Sequence, residues 1–328
     1  MDKYMENFSS KMTASDAANF LKVNLQAIHK QLKSKNFECQ KNQNRVFFGF
    51  ETAKEIFKLK FEKKVLAFQI VKGGTGKTSL AFSFAIRANL YGARVLCIDL
   101  DQQGNLTHAF KVDASNSPVM IDIINEKATI TDSIINISPG LDLLPSRIEN
   151  AAIDKVMMIN NLLINEVYLD LIKPIIKNYD YIIFDCPPAL GHSVAAATLA
   201  SDFVIAPVTP EQFGLSGLQM TYEEIAALNK KYHKNVELKI VINKFDSRTS
   251  LSTDVIRTVL NNERFKEKTC SSIIRISQEF ANTIFSGKNI YSSLKNTTAK
   301  EDVDVVVREI LKLDELREKR NSKEEVAA

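Results

Sequence analysis

The sequence is poor in cysteine and has no long hydrophobic run. Its few thiols lack the spacing of a metal-binding or redox motif, so we expect them to be small buried side chains in a reducing compartment. No apolar stretch approaches the roughly 20 residues that a membrane-spanning helix needs. Residues 1–10 carry charges and lack the hydrophobic core of an export signal, so we expect a cytoplasmic protein without a membrane anchor. The four cysteines are Cys39, Cys97, Cys186 and Cys270.

The composition excludes a long disordered chain and a collagen-like fibre. Of 328 residues, 45% are hydrophobic and 25% are charged, which is ordinary for a folded globular protein. The formal net charge is only +4, but it is unevenly distributed. Residues 1–64 hold 13 basic and 7 acidic side chains and residues 244–300 hold 10 and 5, whereas residues 65–243 hold 14 and 18. Two basic regions around an acidic middle indicate a polyanionic partner.

Residues 65–317 alternate short apolar runs with helical stretches. Continuous runs of this length are typical of parallel strands that are buried on both faces. We therefore predict a doubly wound α/β fold with a mostly parallel sheet over this region, and a disordered tail over residues 318–328. The predicted strands are Val65–Val71, Val95–Leu100, Leu141–Leu144, Tyr181–Asp185, Phe203–Pro207 and Leu238–Ile242, with a helix over Lys77–Tyr91 after the first.

Residues 1–64 form a separate, mainly helical unit in this prediction. Thr13, with Asp16 three positions later, predicts the start of one helix. Asn24 predicts the cap of a second helix that reaches Ser34. The other predicted elements are a short strand over Arg45–Phe50 and a helix over Glu51–Phe61.

A glycine-rich loop lies between the first predicted strand and the first predicted helix of the α/β region. Its glycines allow consecutive backbone N–H groups to face a phosphate, and the start of the helix adds a partial positive charge. Lys77 would reach the terminal phosphates, and the Thr78 hydroxyl would bind Mg²⁺. The predicted nucleotide-binding residues of the loop are Lys72, Gly73, Gly74, Thr75, Gly76, Lys77, Thr78 and Ser79.

The loop departs from the strict P-loop pattern at one position. Val71 stands where that pattern has its first glycine, and Lys72 follows as a second lysine. The sequence here resembles the deviant Walker A group, the ParA/MinD family of ATPases. The resemblance covers about residues 65–315 and implies a P-loop NTPase fold and a homodimer that depends on ATP and Mg²⁺. It also implies that Lys72 reaches the nucleotide of the partner subunit and acts in catalysis together with Lys77.

Three acids near the ends of predicted strands match the same family in order and spacing. By resemblance, Asp101 would position or polarise the attacking water, and Asp99 would support the water shell of Mg²⁺. Asp185 would hold Mg²⁺ as the Walker B acid does in P-loop NTPases. Because the carboxyl ends of parallel strands meet at one edge of a sheet, we expect all three acids near the glycine-rich loop. Gln102 stands where partition members of the family usually have a proline.

Asn243 follows a later predicted strand, at the place where the family has an asparagine that contacts adenine. The segment Asn243–Asp246 also resembles the Asn-Lys-x-Asp guanine motif of GTPases. The second lysine, Lys72, and the acid pair Asp99 and Asp101 favour ATP over GTP as the nucleotide.

The DNA-partition branch of the family fits the remaining features best. Acidic side chains surround the apolar stripe of residues 303–311, which argues against a lipid-binding helix. The cysteines lack the positions of an iron–sulfur reductase, and no C-terminal tyrosine cluster marks a tyrosine kinase. Arg248, Arg275 and Lys288 fall in the basic segment where ParA proteins place contacts with DNA phosphates. An ordinary solvated basic face is the alternative interpretation.

Residues 13–34 resemble a helix-turn-helix of the kind that larger plasmid ParA proteins carry. Its second helix would present Gln26, His29 and Lys30 to DNA bases or phosphates. A helical cap that serves dimerisation would show the same apolar positions, so both interpretations stay open.

Together these features predict a DNA partition ATPase. An ATP-bound homodimer would hold non-specific DNA on the nucleoid, and a ParB-type centromere-binding partner would stimulate weak intrinsic hydrolysis and release the protein. The same protein could also repress its own operon. The alternatives are a nucleotide-regulated, sequence-specific repressor and an ATPase that positions a cargo other than DNA.

Overall fold

The computed structural model describes residues 9–326, and for residues 212, 213 and 323–326 it describes the backbone alone. Predictions that concern residues 1–8 and 327–328 therefore lie outside the described part of the chain. The strands are β1 (Met12–Thr13), β2 (Gln40–Asn42), β3 (Arg45–Phe48), β4 (Lys64–Phe68), β5 (Val95–Asp99), β6 (Ile135–Ser138), β7 (Leu141–Leu144), β8 (Tyr181–Asp185), β9 (Phe203–Val208), β10 (Glu237–Phe245) and β11 (Thr269–Arg275).

Helices cover both faces of the main sheet and build most of the N-terminal unit. The α-helices are α1 (Ala14–Leu21), α2 (Leu25–Ser34), α3 (Phe50–Phe57), α4 (Lys77–Leu90), α5 (Asn105–Ala109), α6 (Met120–Ile124), α7 (Ile130–Ser133), α8 (Ile153–Ile159), α9 (Val167–Ile172), α10 (His192–Ala200), α11 (Gln212–Tyr232), α12 (Ser250–Asn261), α13 (Glu279–Phe285), α14 (Thr298–Ile310) and α15 (Leu313–Val326). Short 3-10 helices lie over Ile148–Ala152, Ile176–Asn178, Lys266–Lys268 and Ile290–Ser292. Among the described residues, no helix is long and apolar enough to cross a bilayer.

The main sheet has eight strands in the described part of the chain, in the order β11-β10-β9-β4-β8-β5-β7-β6. All neighbouring strands are parallel except β6 and β7. The prediction of a doubly wound, mostly parallel α/β fold is therefore confirmed. The sequence did not predict β6 and β11, which form the two edges of the sheet. Both are only partly buried, so they lack the continuous apolar run that marks the inner strands.

The sheet is buried on both faces. In β4, Leu66 and Phe68 belong to one hydrophobic cluster, and Val65 and Ala67 belong to another. Successive side chains of a strand point to opposite faces, so the two clusters lie on opposite sides of the sheet. This arrangement explains why the inner strands appear in the sequence as unbroken apolar runs.

The carboxyl ends of three neighbouring strands meet at one edge. Phe68, the last residue of β4, is paired with Asp185 of β8, and Asp185 is paired in turn with Asp99 of β5. The chain therefore leaves β4, β5 and β8 at the same level of the sheet. Loops that follow these strands are brought together, which is where doubly wound sheets bind their ligands.

The N-terminal unit combines three helices with a small antiparallel sheet in the order β1-β3-β2. Thr13 caps α1 by accepting a hydrogen bond from the Asp16 N–H (3.0 Å), and Asn24 caps α2 by accepting one from the Ala27 N–H (2.8 Å). Both predicted helix starts are confirmed. The third helix ends at Phe57 instead of the predicted Phe61, because the backbone turns into the left-handed region at the following lysine.

In its described residues, from residue 9 onward, the N-terminal unit has no separate hydrophobic core. Phe20 of α1 and Phe57 of α3 pack against Tyr91 at the end of α4, with ring centroids 4.6 and 5.4 Å from that of Tyr91. These residues belong to the same hydrophobic cluster as Val303 and Val307 of α14. Residue 64 is therefore a boundary in the sequence pattern, but the packing continues across it.

The prediction of a disordered tail over residues 318–328 is wrong for residues 318–326, which continue the helix α15. The Arg317 side chain is only 2% exposed, and its guanidinium donates a 2.8 Å hydrogen bond to the Phe20 carbonyl. Asp314 accepts a second bond from the same guanidinium. A sequence rich in Lys and Glu is typical of a solvated tail, but this one buried arginine holds the helix against the N-terminal unit.

Candidate functional site

The glycine-rich loop connects β4 to α4 at the carboxyl edge of the sheet, as predicted. Gly74 and Gly76 have φ angles of 76° and 86°, in the left-handed region that favours glycine. Gly76 is the N-cap of α4, and a Cβ atom there would lie 2.5 Å from Nδ2 of Asn243. Only glycine fits this turn, which leaves the first N–H groups of α4 facing the cavity described below.

Lys77 lies inside the loop and is almost completely buried. Its Nζ donates a 3.1 Å hydrogen bond to the carbonyl of Lys72. Burial lowers the pKa of Lys77, while the charges of Asp185, Cys186 and Asp101 act in the opposite direction. A buried ammonium whose hydrogen bond goes to a neutral carbonyl is arranged to accept an anionic ligand such as a phosphate.

Asp185 is completely buried at the end of β8. In the part of the chain that the structure describes, no hydrogen bond of ordinary length and angle reaches either of its carboxylate oxygens, although the Thr78 hydroxyl lies close enough to interact with them. Burial raises its pKa well above the ordinary range and Asp99 adds to this shift, whereas the Thr78 hydroxyl and the Lys77 ammonium oppose it. A buried carboxylate without partners is costly, and a cation at this position would remove the cost.

Asp99 differs from Asp185 because its oxygens are already occupied. Its Oδ2 accepts hydrogen bonds from the N–H (2.9 Å) and the hydroxyl (2.8 Å) of Thr107, and its Oδ1 accepts one from the Asp101 N–H (3.1 Å). Burial raises the pKa of Asp99 to about 7, although the bonds from Thr107 lower it. Asp99 therefore holds the loop of residues 101–107 in place, while Asp101 lines the cavity beside it.

A cavity of about 570 Å³ opens above the glycine-rich loop, within the size range of small-molecule and cofactor sites. The loop residues 73, 74 and 76–79, together with Asp101, line its base, and Asn243 and Lys244 line one side. Residues 274–278, which lie at the end of the neighbouring strand β11, and α13 with Phe280 form the adjoining wall. Lys244, Phe280 and most of this wall were not predicted from the sequence, because β11 and α13 carry no motif that marks them.

Asn243 lies at the cavity, as predicted for a base-contacting residue, but its side chain is bonded to the loop. Its Nδ2 donates a 2.7 Å hydrogen bond to the Thr75 carbonyl. Lys244 makes a similar 2.7 Å bond from Nζ to the Gly74 carbonyl. The two side chains thus connect the end of β10 to the phosphate loop.

Lys72 does not line the cavity of its own chain. Its Nζ lies 2.5 Å from Oε2 of Glu211, the residue just before α11. Its side chain keeps 23% of its surface exposed. Glu211 was not predicted as part of the site, since no motif connects two residues 139 positions apart.

The two predicted DNA-contacting arginines each form an ion pair with an aspartate. Arg248 is 81% exposed and lies 2.8 Å from Asp246, whereas Arg275 lies 2.5 Å from the buried Asp302 and at the edge of the nucleotide-sized cavity. Lys288 is exposed. The structure thus leaves these three cations exposed to solvent in whole or in part.

The predicted contact residues of the N-terminal unit are all exposed on α2. Gln26, His29 and Lys30 occupy positions i, i+3 and i+4 of the helix, so they lie on one side of it. Ile28 and Leu32 occupy the buried side. The helix therefore presents the three polar side chains together, away from the core.

A glycine-rich loop between a strand and a helix, with a buried lysine and the unpartnered Asp185 beside it, defines a P-loop NTPase. The family model AAA_31, described as an AAA domain, matches residues 63–240, more than half of the chain. The chain belongs to this family and is a P-loop ATPase of the ParA/MinD type.

Two relatives match most of the same region. The sporulation initiation inhibitor protein Soj of Bacillus subtilis is 33% identical over 218 residues, which are 64% of this chain and 83% of Soj. The virulence plasmid ParA family protein pGP5-D of Chlamydia psittaci is 30% identical over 256 residues, which are 75% of this chain and 94% of pGP5-D.

A solved structure from Borrelia burgdorferi, described as a plasmid partition protein bound to AMPPNP, has the same fold. Its TM-score is 0.63 at 21% identity, and the match covers 76% of this chain and 99% of that one. These comparisons support a ParA-type partition or positioning ATPase.

Proposed function

We propose that this chain is a DNA partition ATPase whose nucleotide site is completed by a second copy of the chain. The observation that carries the proposal is the position of Lys72, which lies in the phosphate loop but outside its own cavity. The Lys72 ammonium is partly exposed and is paired only with Glu211 at the surface. It could therefore exchange this partner for a phosphate of a nucleotide bound by another copy of the chain. Dimerisation would then depend on the nucleotide.

The site residues fit ATP and Mg²⁺. Lys77 would hold the terminal phosphates, and the Thr78 hydroxyl and Asp185 would hold the metal, with Asp99 supporting it through Asp101 and the loop that follows. No group of three or more metal-ligating side chains exists among the described residues, as expected for Mg²⁺ that is bound partly by phosphate oxygens and water. Bound Mg²⁺ would neutralise charge on the phosphates, while Asp101, at the cavity floor, would orient the attacking water.

The ATP-bound dimer is proposed to bind non-specific DNA. A ParB-type centromere-binding protein is proposed as its partner. The two basic regions of the sequence support a polyanion, and the names of pGP5-D and of the Borrelia protein connect related chains to plasmids. Arg248, Arg275 and Lys288 are proposed to contact phosphates, with hydrolysis weak until the partner stimulates it. Such a cycle would keep the protein on the nucleoid in its ATP state.

The first experiment measures binding of the purified protein to random-sequence duplex DNA with ATP, with ADP and without nucleotide. We expect the protein to bind DNA with ATP but not with ADP or without nucleotide, and we expect Lys77→Ala to abolish this binding. Equal binding under all three conditions would contradict a nucleotide switch. No binding under any condition would remove DNA as the cargo and favour an ATPase that positions something else.

A second candidate function, repression of a specific operator, is favoured by the exposed face of α2. Because the N-terminal unit shares its core with α4, deleting residues 1–60 would uncover Tyr91 and would not be a clean test. Substituting Gln26, His29 and Lys30 by alanine leaves that core intact. Loss of operator binding with unchanged random-DNA binding would assign the face to sequence recognition. No change in either would favour the helical cap.

A further inference from the structure

A separate cavity of about 400 Å³ lies where the β2–β3 hairpin meets the loop of residues 292–295. We call it the junction cleft and define it by Lys11, Arg45, Lys295 and the loop Ser292–Leu294. Lys11 and Arg45 come from the N-terminal unit, whereas the loop directly precedes α14 of the ATPase region. The cleft therefore joins the two basic regions that the sequence separates by almost 180 residues.

The cations around the cleft are held by backbone carbonyls. Lys11 Nζ donates a 2.9 Å hydrogen bond to the Ser292 carbonyl, and Arg45 Nη1 donates one to the Leu294 carbonyl. Lys300, at the start of α14, donates to the Ser293 carbonyl and, over 2.7 Å, to the Lys295 carbonyl. Carbonyls orient a cation but do not cancel its charge.

Within the described residues, no ion pair neutralises these cations. In the part of the chain that the structure describes, Lys11, Arg45, Lys295 and Lys300 have no carboxylate oxygen within 4.0 Å. This differs from Arg248 and Arg275, whose aspartates lie 2.8 and 2.5 Å away. Among the described residues, the cleft thus brings together cations of both basic regions that have no ion pair.

The electrostatic surroundings of Lys300 agree with this picture. Burial lowers its pKa to about 8, with smaller contributions in the same direction from the positive charges of Arg87 and Arg45. Asp16 and Glu279 face it from α1 and α13 and each act in the opposite direction more strongly than either arginine, without forming an ion pair in the described structure. Lys300 does not itself line the cleft, but Arg45 does, and an anion bound beside Arg45 would reduce the repulsion between the two cations.

The cleft also has hydrogen-bond donors to spare. An ammonium has three N–H donors and a guanidinium five, and Lys11 and Arg45 each use one of theirs on the loop carbonyls. The exposed amides of Asn42 and Gln43 lie beside them at the tip of the hairpin. Oriented cations with spare donors are the chemistry that recognises a phosphodiester, whose oxygens only accept.

We propose that the junction cleft binds a backbone phosphate of duplex DNA. The proposal rests on the proposed DNA-binding function, but it places a phosphate contact away from Arg248, Arg275 and Lys288. Because the hairpin is part of the N-terminal unit, one DNA segment bound here would contact both basic regions at once. The contact is with phosphate only and carries no sequence preference.

The test compares R45Q/K295Q with the matched control K127Q/K155Q. Each variant removes two exposed cations that have no ion pair in the described structure. The control residues lie away from the cleft, because Lys127 follows α6 and Lys155 lies on α8, and both helices pack on the opposite face of the sheet. Binding to a random-sequence duplex is measured with ATP between about 50 and 200 mM salt. We expect the cleft variant to bind at least about tenfold more weakly. We also expect the slope of log affinity against log salt to fall by about 0.9 for each phosphate that the variant no longer binds.

Each outcome decides between the two proposals. Weaker binding by R45Q/K295Q alone, still dependent on ATP, supports the cleft. If the wild-type protein binds DNA and the two variants show the same dependence of affinity on salt, the proposed phosphate contact at the cleft is overturned. The proposed function is then unaffected. Failure of the wild-type protein to bind DNA overturns both. A K11Q variant checks the cleft from the N-terminal side, and thermal melting confirms that each variant is folded.

A membrane surface presents phosphates too, so vesicles of phosphatidylglycerol form a separate arm. We expect no cosedimentation of the wild-type protein. If R45Q/K295Q abolished binding to vesicles and left DNA binding unchanged, the proposed DNA contact would be overturned. The cleft would then be a site for lipid headgroups.

Discussion

The two ends of the helix α4 differ in how their charged groups are satisfied. At its C-terminal end, Arg87 is completely buried and fully engaged. It lies 2.6 Å from Asp304, donates to the Tyr91 hydroxyl, and stacks on the rings of Tyr91 and Tyr291 at 4.7 and 5.2 Å. At the N-terminal end, in the described structure, Lys77 is bonded only to a carbonyl, and Asp185 has no hydrogen bond of ordinary geometry and interacts only weakly with the Thr78 hydroxyl and the charge of Lys77.

The C-terminal end of α4 therefore serves the stability of the fold, whereas its N-terminal end carries groups that a ligand can bind. A buried network whose charged groups are paired gives rigidity, and Arg87 fixes α4 against α14 through its pair with Asp304. Buried groups without partners reduce stability, and they persist where a ligand completes them. The helix is thus anchored at one end and left incomplete at the other.

The largest expected effect on stability comes from the anchored end. Arg87→Met removes the partner of Asp304 in a buried network and should lower the free energy of unfolding by about 3 kcal/mol. This is the low end for a broken buried pair, because Arg308 remains 3.6 Å from Asp304. Arg94→Met, at a half-exposed pair with Asp180, should cost less than about 1 kcal/mol. Urea unfolding measures both, and equal costs would contradict the comparison.

The incomplete end should respond with the opposite sign. Asp185→Asn removes a buried carboxyl group whose ionisation burial opposes and whose interactions with the Thr78 hydroxyl and Lys77 compensate this only in part, so the nucleotide-free protein should gain about 1–3 kcal/mol while stabilisation by Mg²⁺ and ATP is lost. Asp99→Asn should instead destabilise by about 1–3 kcal/mol, because an amide cannot replace every bond that Oδ1 and Oδ2 accept. If both variants destabilised the free protein, Asp185 would be a structural residue.

The same acids give the nucleotide-free protein a pH dependence. Burial raises the pKa of both Asp185 and Asp99 above the ordinary value of about 4, so the folded protein keeps protons that the unfolded chain releases. Their contribution to stability is therefore present below about pH 4 and is lost as the pH rises toward 7, where Asp99 titrates. Melting curves across this range should show the decline, with a smaller slope in Asp185→Asn; an unchanged slope would contradict the assignment.

The smallest effect on stability is expected at the surface, next to the incomplete end. Lys72→Ala breaks a partly exposed pair with Glu211 and should change the free energy of unfolding by no more than about 0.5 kcal/mol. It should nevertheless abolish dimerisation with ATP, which sizing chromatography detects. Lys64→Ala is the matched control, since Lys64 is 25% exposed and pairs with Glu62 at 3.1 Å. A dimer that survives Lys72→Ala would refute a role for this lysine across the interface.

The inner sheet and the phosphate loop could be predicted from the sequence because their physical signals are local. A strand buried on both faces needs a continuous apolar run, and a loop with left-handed residues at positions 74 and 76 needs glycine there. The acids Asp99, Asp101 and Asp185 were predicted from their resemblance to the ParA/MinD family, and their places at or just after the ends of such runs put them at one edge of the sheet.

The remaining features depend on contacts between distant parts of the chain. Glu211 meets Lys72, and Arg45 meets the carbonyl of Leu294, but each of these residues alone is an ordinary charged or apolar surface residue in sequence. Arg317 is the clearest case, since a single buried arginine in a charged segment cannot be told from its solvated neighbours. The shared core of the N-terminal unit was missed for the same reason, because an amphipathic helix does not reveal what covers it.

The bond between Arg317 and Phe20 has a consequence for the synthesis of the protein. The two residues are 297 positions apart, so at about 5–20 residues per second the ribosome needs roughly 15–60 s to make the second after the first. During that time Phe20 and Phe57 lack part of the surface that buries them in the finished molecule. The first unit to emerge is thus among the last to be completed, and the nascent chain must keep its aromatic side chains from other contacts until its C-terminal helix arrives.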